Sequence, residues 1–200
     1  MTSAAHPAAP AAPHLKGHEN INPDGLGFWQ LVREDLRTHD GHLLELGFWA
    51  IAAHRLGNAR MSIRSKLIRA PFTIAYWTMY VAVECLTGIT LPYTVRVGRR
   101  VRIWHHSGIV LHAWSIGDGT QIRQNTTFGI VSADRHADLP TIGARVDIGC
   151  GACILGAVHI GDDAKIGANA VVLQDVPAGA TAVGIPARII RRRSAEGEAS

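Results

Sequence analysis

Residues 141–172 read TIGARVDIGCGACILGAVHIGDDAKIGANAVV, and an aliphatic residue recurs at every sixth position of this stretch. An α-helix repeats its buried face every 3.6 residues and a β-strand every second residue, so a period of six fits neither. A solenoid explains the period, because three short strands make one triangular coil and each repeated side chain stacks on its equivalents in neighbouring coils. Glycine often follows the repeated residue, as in Ile148-Gly149, and permits tight corners.

The same period extends back towards the middle of the chain. The repeated positions form three sets: Val97, Ile103 and Ile109; Ile116, Ile122 and Phe128; and Ile142, Ile148, Ile154, Ile160, Ile166 and Val172. The spacing slips by one residue between the first two sets. Ile142 follows Phe128 by fourteen positions instead of six, so we expect a loop of about eight residues, near 131–141, to project from the stack. The pattern predicts a mainly β fold built of hexapeptide repeats.

The first half of the chain has helical spacing instead. Phe28, Leu31 and Leu36 lie on one helical face, a second apolar pattern follows the break at Asp40-Gly41, and a third stretch ends near Gly88. These patterns divide the chain into a flexible tail (1–24), an α-helical region (25–90), the repeat domain (91–187) and a basic C-terminal tail (188–200).

Composition bounds the class of protein. A net charge of +4 is too mild an excess to indicate nucleic acid, although it suits a small polyanionic ligand. An odd count of three cysteines favours a reducing compartment, so we expect a cytoplasmic protein. The apolar run at 70–83 is shorter than the ~18 residues of a membrane span, which leaves contact with a membrane surface or a partner open. Cys150 and Cys153 lie in one repeat without a second ligand pair, so no metal site is expected.

Four segments carry a resemblance to a known family. They are Ile166–Leu173, Asp175–Arg188, His105–Val110 and the triplet Asp134-Arg135-His136. With them, residues 29–188 resemble serine acetyltransferases and the related hexapeptide-repeat acetyltransferases of polysaccharide biosynthesis. The resemblance implies a left-handed parallel β-helix preceded by a small α-helical region, an O-acetyltransferase that uses acetyl-coenzyme A, and a homotrimer or a dimer of trimers.

The resemblance also implies site residues. His105 matches the catalytic histidine, and an imidazole with an ordinary pKa near ~6.5 suits a general base that later returns the proton to the thiolate. Residues that match acceptor-binding positions are Asp40, Arg135 and His136. Those that match the coenzyme A groove between subunits are Gly129, Cys150, Lys165 and Ala168.

Two positions depart from the family pattern. Thr90 stands where the family has the acidic partner of the histidine, so either the base is weaker or another carboxylate replaces that partner. Trp104 stands where serine acetyltransferases have an Asp that contacts the serine amine. The acceptor is therefore L-serine or, as the alternative, a sugar hydroxyl of a polysaccharide.

The sequence is also compatible with two further classes of protein. One is a zinc-dependent enzyme of the carbonic anhydrase type with ligands among His105, His106, His112 and His136. The other is a catalytically silent trimeric scaffold. No activated nucleophile motif is present in the sequence, which favours direct attack in a ternary complex over an acyl-enzyme.

Overall fold

A computed structural model describes residues 17–190, which form a helical region followed by a coil of short strands. The helices are α1 (Phe28–Thr38), α2 (Leu46–Ala59) with a 3-10 turn (Arg60–Ser62), and α3 (Lys66–Thr87). The strands are β1 (Ile89–Thr90), β2 (Arg96–Val97), β3 (Arg102–Ile103), β4 (Ile109–Leu111), β5 (Ser115–Ile116), β6 (Gln121–Ile122), β7 (Thr127–Gly129), β8 (Thr141–Ile142), β9 (Asp147–Ile148), β10 (Cys153–Leu155), β11 (His159–Ile160), β12 (Lys165–Ile166), β13 (Val171–Val172), β14 (Thr181–Val183) and β15 (Arg188–Ile190).

The strands make three parallel sheets, and the chain visits the sheets in rotation. The first sheet has the order β1-β4-β7-β10-β13, the second β2-β5-β8-β11, and the third β3-β6-β9-β12-β14. Each coil therefore contributes one strand to each side of a triangular stack. Among the strands of residues 17–190, only β15 runs antiparallel, against β14.

The six-residue period places one aliphatic side chain per strand inside the stack. In the second sheet Val97, Ile116, Ile142 and Ile160 pair in register, and in the third sheet Ile103, Ile122, Ile148 and Ile166 do so. All eight are almost inaccessible to solvent. Burying columns of methyl-rich side chains supplies the main stabilisation of the coil.

The strands of the first sheet pair in a register that the six-residue period does not predict. Phe128 pairs with Leu111 instead of Ile109, and Ile109 pairs with Ile89 one coil earlier. Eight positions separate Ile103 from Leu111, where six separate Ile122 from Phe128. The one-residue slip in the sequence thus combines two changes. The corner at 104–108 is longer by two residues, and the following corner, 112–114, is shorter by one. That enlarged corner carries His105.

The predicted projecting loop lies between the end of β7 and the start of β8, at residues 130–140. It is held against the coil, since the Trp114 indole Nε1 donates to the carbonyl oxygen of Ala137 at 3.2 Å.

A buried arginine ties the helices to the coil. Arg55 Nε donates to Asp35 at 2.9 Å, and its two terminal nitrogens donate to the carbonyl oxygens of Val97 and Gly98 at 2.7 and 2.6 Å. Both side chains of the ion pair are fully buried. One side chain on α2 therefore fixes both α1 and β2, which sets the helical region against the first coil.

The ends of the described segment differ from the expected tails. Residues 17–24 were expected in the flexible tail 1–24, but Asn22 donates to the carbonyl oxygen of Arg55 at 3.0 Å and Tyr93 donates to that of Gly17 at 3.2 Å. Residues 188–190, expected in the basic tail, form β15. Residues 1–16 and 191–200 lie outside the described part. Within 17–190, no helix is both long and apolar enough to cross a bilayer.

Candidate active site

Two edges of the triangular stack carry the candidate residues. The His105 edge joins the third sheet to the first and consists of corners 104–108, 123–126, 149–152 and 167–170. Its corners are stacked by backbone hydrogen bonds, such as the amide of Asn125 to Ser107 at 3.0 Å and that of Asn169 to Cys150 at 2.8 Å. The loop edge joins the first sheet to the second and consists of 112–114, 130–140 and 156–158.

His105 is exposed on the enlarged corner and has a left-handed backbone, with φ of 52°. Among residues with a Cβ, this region is favoured by His, Asn and Asp. Ser107 and Gly108 also have positive φ, 99° and 64°, so three of the five residues in the corner leave the usual backbone regions. The corner turns the imidazole out of the stack, and His106 beside it is exposed as well.

Two contacts hold the side chain of Trp104, the residue next to His105: one to its indole nitrogen and one to the face of its ring. The indole Nε1 donates to Gln121 Oε1 at 2.7 Å, and the Arg102 guanidinium lies 3.5 Å from the ring centroid. Arg102 also donates to Asp40 Oδ1 at 3.1 Å in an ion pair that holds the pKa of the Asp40 carboxyl below its ordinary value. Asp40 is therefore brought close to the His105 corner through Arg102 and Trp104.

A second histidine supports the strand that leads into this corner. The Ile103 amide donates to His39 Nε2 at 3.3 Å, and His39 Nδ1 donates to the carbonyl oxygen of Asp35 at 2.8 Å. Burial lowers the pKa of His39, which keeps the ring neutral with Nε2 free to accept. Sequence reasoning did not identify His39, because a histidine at a helix end gives no pattern of its own.

A carboxylate lies where the family's acidic residue is missing. The Thr90 hydroxyl donates to Glu84 Oε1 at 2.7 Å. The segment containing Thr90 packs against the His105 corner: the Ile109 amide donates to Gly88 at 3.0 Å, and a Cβ on Gly88 would lie 3.4 Å from the Cα of Ser107. Glu84 was missed by sequence reasoning, although it is the only acidic residue of α3.

The positions matched to coenzyme A lie in three places on the coil. Cys150 and Ala168 lie on the His105 edge, one coil apart. Lys165 is exposed on the third sheet, in the register row that begins at Arg102. Gly129 ends β7 and lies beside the loop edge, so it is not brought together with the other three.

Arg135 and His136 lie on the loop edge. Arg135 is largely exposed and pairs with Asp138 at 3.7 Å. His136 lines a cavity of about 510 Å³ together with His112 and Trp114. Because the two edges are different corners of the triangle, a single chain does not bring Arg135 and His136 to His105.

Within residues 17–190, the four histidines considered as zinc ligands lie on two different edges of the stack. His105 and His106 lie on one edge and His112 and His136 on the other. In the described residues, no group of three or more His, Cys, Asp or Glu side chains is placed to hold a metal ion.

Comparison with known proteins identifies the family. No protein-family model matches the chain. A serine acetyltransferase of Helicobacter pylori is 39% identical over 75% of this chain and 84% of its own length. The structure of soybean serine acetyltransferase complexed with serine has 30% identity and a TM-score of 0.68 over 82% of this chain and 69% of that one.

A likeness of fold extends to the serine acetyltransferase of Brucella abortus in complex with coenzyme A. That structure is 24% identical, with a TM-score of 0.68 over 87% of this chain and 78% of that one. Sequence and fold thus agree over most of the chain. The chain belongs to the serine acetyltransferase family and is an acyltransferase.

Proposed function

We propose that the enzyme transfers the acetyl group of acetyl-coenzyme A to the hydroxyl of L-serine in cysteine biosynthesis, with His105 as the general base. The family assignment supports the reaction, and its relatives include structures that hold serine or coenzyme A. The observation that supports the site most directly is the enlarged corner, which turns His105 outward on the same edge as Cys150 and Ala168, two and three coils away. We place the reaction in the cytoplasm, in keeping with free cysteines.

The proposed reaction is a direct transfer. A neutral His105 imidazole takes the proton of the acceptor hydroxyl while the oxygen attacks the thioester carbonyl carbon. Backbone amides or Arg135 stabilise the tetrahedral oxyanion. The C–S bond then breaks, and the leaving thiolate takes the proton back from the imidazolium, so the histidine ends the cycle neutral.

Glu84 takes the part of the missing acidic partner in this proposal. Its carboxylate is bonded to Thr90, and the segment carrying Thr90 packs on the His105 corner. A negative charge at this place favours the imidazolium that forms during the transfer. Glu84 and Thr90 are therefore proposed as positioning residues.

We further propose that the coil is a left-handed parallel β-helix and that the active site forms between copies of the chain in a homotrimer or in a dimer of trimers. The separation of His105 from Arg135 and His136 onto different edges supports this arrangement. When the His105 edge of one protomer faces the loop edge of the next, the base, the acceptor clamp and both sets of coenzyme A positions meet in one groove. Arginine suits the clamp because its donors form a rigid fork for a carboxylate.

The test is thiol release from acetyl-coenzyme A with and without L-serine, followed by mass analysis of the product. The proposal expects release that depends on serine and a product heavier by one acetyl group. Absence of serine-dependent release at any serine concentration contradicts it.

A sugar hydroxyl is the second candidate acceptor. Trp104 replaces the Asp expected to contact the serine amine, and Arg102 and Gln121 hold its ring in place. A fixed aromatic ring beside the base suits a sugar. Release that requires an oligosaccharide acceptor and is indifferent to serine would favour this candidate.

A further inference from the structure

Helix α3 turns an apolar side outward. Seven large apolar side chains of this helix are exposed and form what we call its outer face: Leu67, Ile68, Phe72, Ile74, Trp77, Val81 and Leu86. Leu67 is 85% exposed and Trp77 is 53% exposed. Large exposed apolar surfaces mark places that contact a protein or a membrane, and seven such side chains on one helix make α3 a candidate for this role.

Two polar side chains of α3, Thr73 and Glu84, are turned towards the rest of the protein. Arg60 donates to the Thr73 hydroxyl at 3.3 Å and stacks 4.6 Å from the ring centroid of the buried Tyr76. Glu84 accepts the Thr90 hydroxyl. A surface helix of a globular protein has the opposite polarity, with its apolar stripe inward. The outer face of α3 therefore has the character of a contact surface.

The charged residues around α3 indicate which kind of surface its outer face contacts. Arg64 and Lys66 are exposed and Arg69 is half-buried at the N-terminal end of the helix, and within residues 17–190 none of the three forms an ion pair. Cations at this end oppose the helix dipole, so an anion is expected there. The only acidic residue of α3, Glu84, is half-buried and accepts a hydrogen bond from the Thr90 hydroxyl. A second copy packed through the same face would thus offer these cations no carboxylate from its α3.

A membrane with anionic lipids offers acyl chains to the apolar side chains of α3 and phosphate groups to its cations. The helix is about 30 Å long at 1.5 Å per residue, and it is not apolar enough to cross a bilayer. A helix of this kind lies in the plane of the interface, with its apolar side chains among the acyl chains and its cations at the phosphates. Trp77 and Tyr80 belong to the residue types enriched at that depth.

We propose that the outer face of α3 binds the surface of an anionic phospholipid membrane, with the cations at residues 64–69 contacting the headgroups. This binding does not depend on the identity of the acceptor. It places the enzyme at a membrane surface while its coil remains in water.

The proposal is tested by flotation of the full-length protein with vesicles of phosphatidylcholine alone or with 30% phosphatidylglycerol. We expect binding to the anionic vesicles that weakens with salt. Replacing Arg64→Gln and Lys66→Gln together should lower the partition coefficient by about 30-fold, at about 1 kcal/mol per cation. The variant Phe72→Ser/Trp77→Ser/Val81→Ser should lose binding to both kinds of vesicle.

A matched control keeps the number and exposure of the changed residues. Val131, Leu173 and Ile190 are 54%, 51% and 55% exposed and lie outside α3, so their triple replacement by Ser should leave vesicle binding intact. Circular dichroism and light scattering report folding and mass for each variant. The proposal is overturned if the folded wild-type protein binds neither vesicle, if the control loses binding equally, or if the α3 variant changes only the oligomeric mass, which would assign the face to a second copy.

Discussion

His105 has a left-handed backbone at a corner where the coil has two residues more than at the corner stacked on it. Strained or rare backbone conformations are retained where a site needs a side chain in a particular direction. The supporting contacts are specific: His39 holds the amide of Ile103, and Gln121 with Arg102 holds Trp104. The candidate base is thus presented by a rigid frame.

The proposed role of Glu84 predicts that turnover falls when its negative charge is removed. Glu84→Gln should lower kcat roughly tenfold, the value of a hydrogen bond to a charged group, and leave the KM for both substrates unchanged. Steady-state kinetics measure this. Glu34→Gln is the control, because that carboxylate pairs with Arg99 away from the corner.

Rescue separates this positioning role from a structural one. In the Glu84→Gln background, Thr90→Asp returns a carboxylate to the same place and should restore part of the lost kcat. A Glu84→Gln enzyme with wild-type kcat would contradict the role.

Motifs in the sequence single out His105 and the Arg135-His136 pair as candidates, but they do not predict which residues contact them. Glu84 reaches the site only because α3 ends beside β1, and Arg102 reaches Asp40 across 62 residues. Contacts of that range depend on how the helices dock on the coil, which no local spacing encodes.

At the scale of elements, the fully buried pair of Asp35 and Arg55 joins α1 and α2 to the second sheet. Asp35→Asn leaves a buried guanidinium without its counterion and should lower the free energy of unfolding by about 3 kcal/mol. Urea unfolding measures this difference. The control Asp163→Asn removes the exposed partner of Arg145 and should have a far smaller effect. Equal effects of the two changes would contradict the role of the buried pair.

His54, also on α2, makes stability depend on pH. Burial lowers the pKa of His54 to about 3, and its Nε2 donates to the carbonyl oxygen of Val95 at 2.7 Å. The unfolded chain binds a proton at this residue below its ordinary pKa of 6.5, while the native state does not. Stability should therefore fall as pH falls from about 6.5 towards 3, by about 1.4 kcal/mol per unit at most.

Urea titrations between pH 7 and pH 4.5 measure this slope. His54→Gln keeps a donor for Val95 and removes the titrating ring, so it should flatten the slope. An unchanged slope in that variant would assign the pH dependence to other groups.

At the scale of the whole molecule, the repeat made most of the architecture predictable. The columns of the second and third sheets follow from the six-residue period, since each aliphatic side chain stacks on its equivalent. The period could not show that the single-residue slip hides an insertion of two at the His105 corner, because an insertion and a deletion nearby partly cancel in the spacing. Ile109 is buried as the period predicts, but it pairs with Ile89, and Leu111 is the residue that pairs with Phe128.

An active site shared between protomers predicts that two inactive variants restore each other's activity when they assemble together. His105→Ala and the double variant Arg135→Ala/His136→Ala should each have little activity alone, because each damages a different edge. Co-refolded in equal amounts, they should recover about a quarter of wild-type activity, since a quarter of the interfaces then pair two intact edges. Mixtures with no more activity than their components would indicate that each site belongs to one chain.

Catalysis by His105 is tested most directly by the turnover of His105→Ala, measured as release of coenzyme A with saturating L-serine. We expect a folded variant whose kcat is lower by roughly 10²- to 10⁴-fold, the contribution of general base catalysis. A folded variant that releases thiol at the wild-type rate would contradict it.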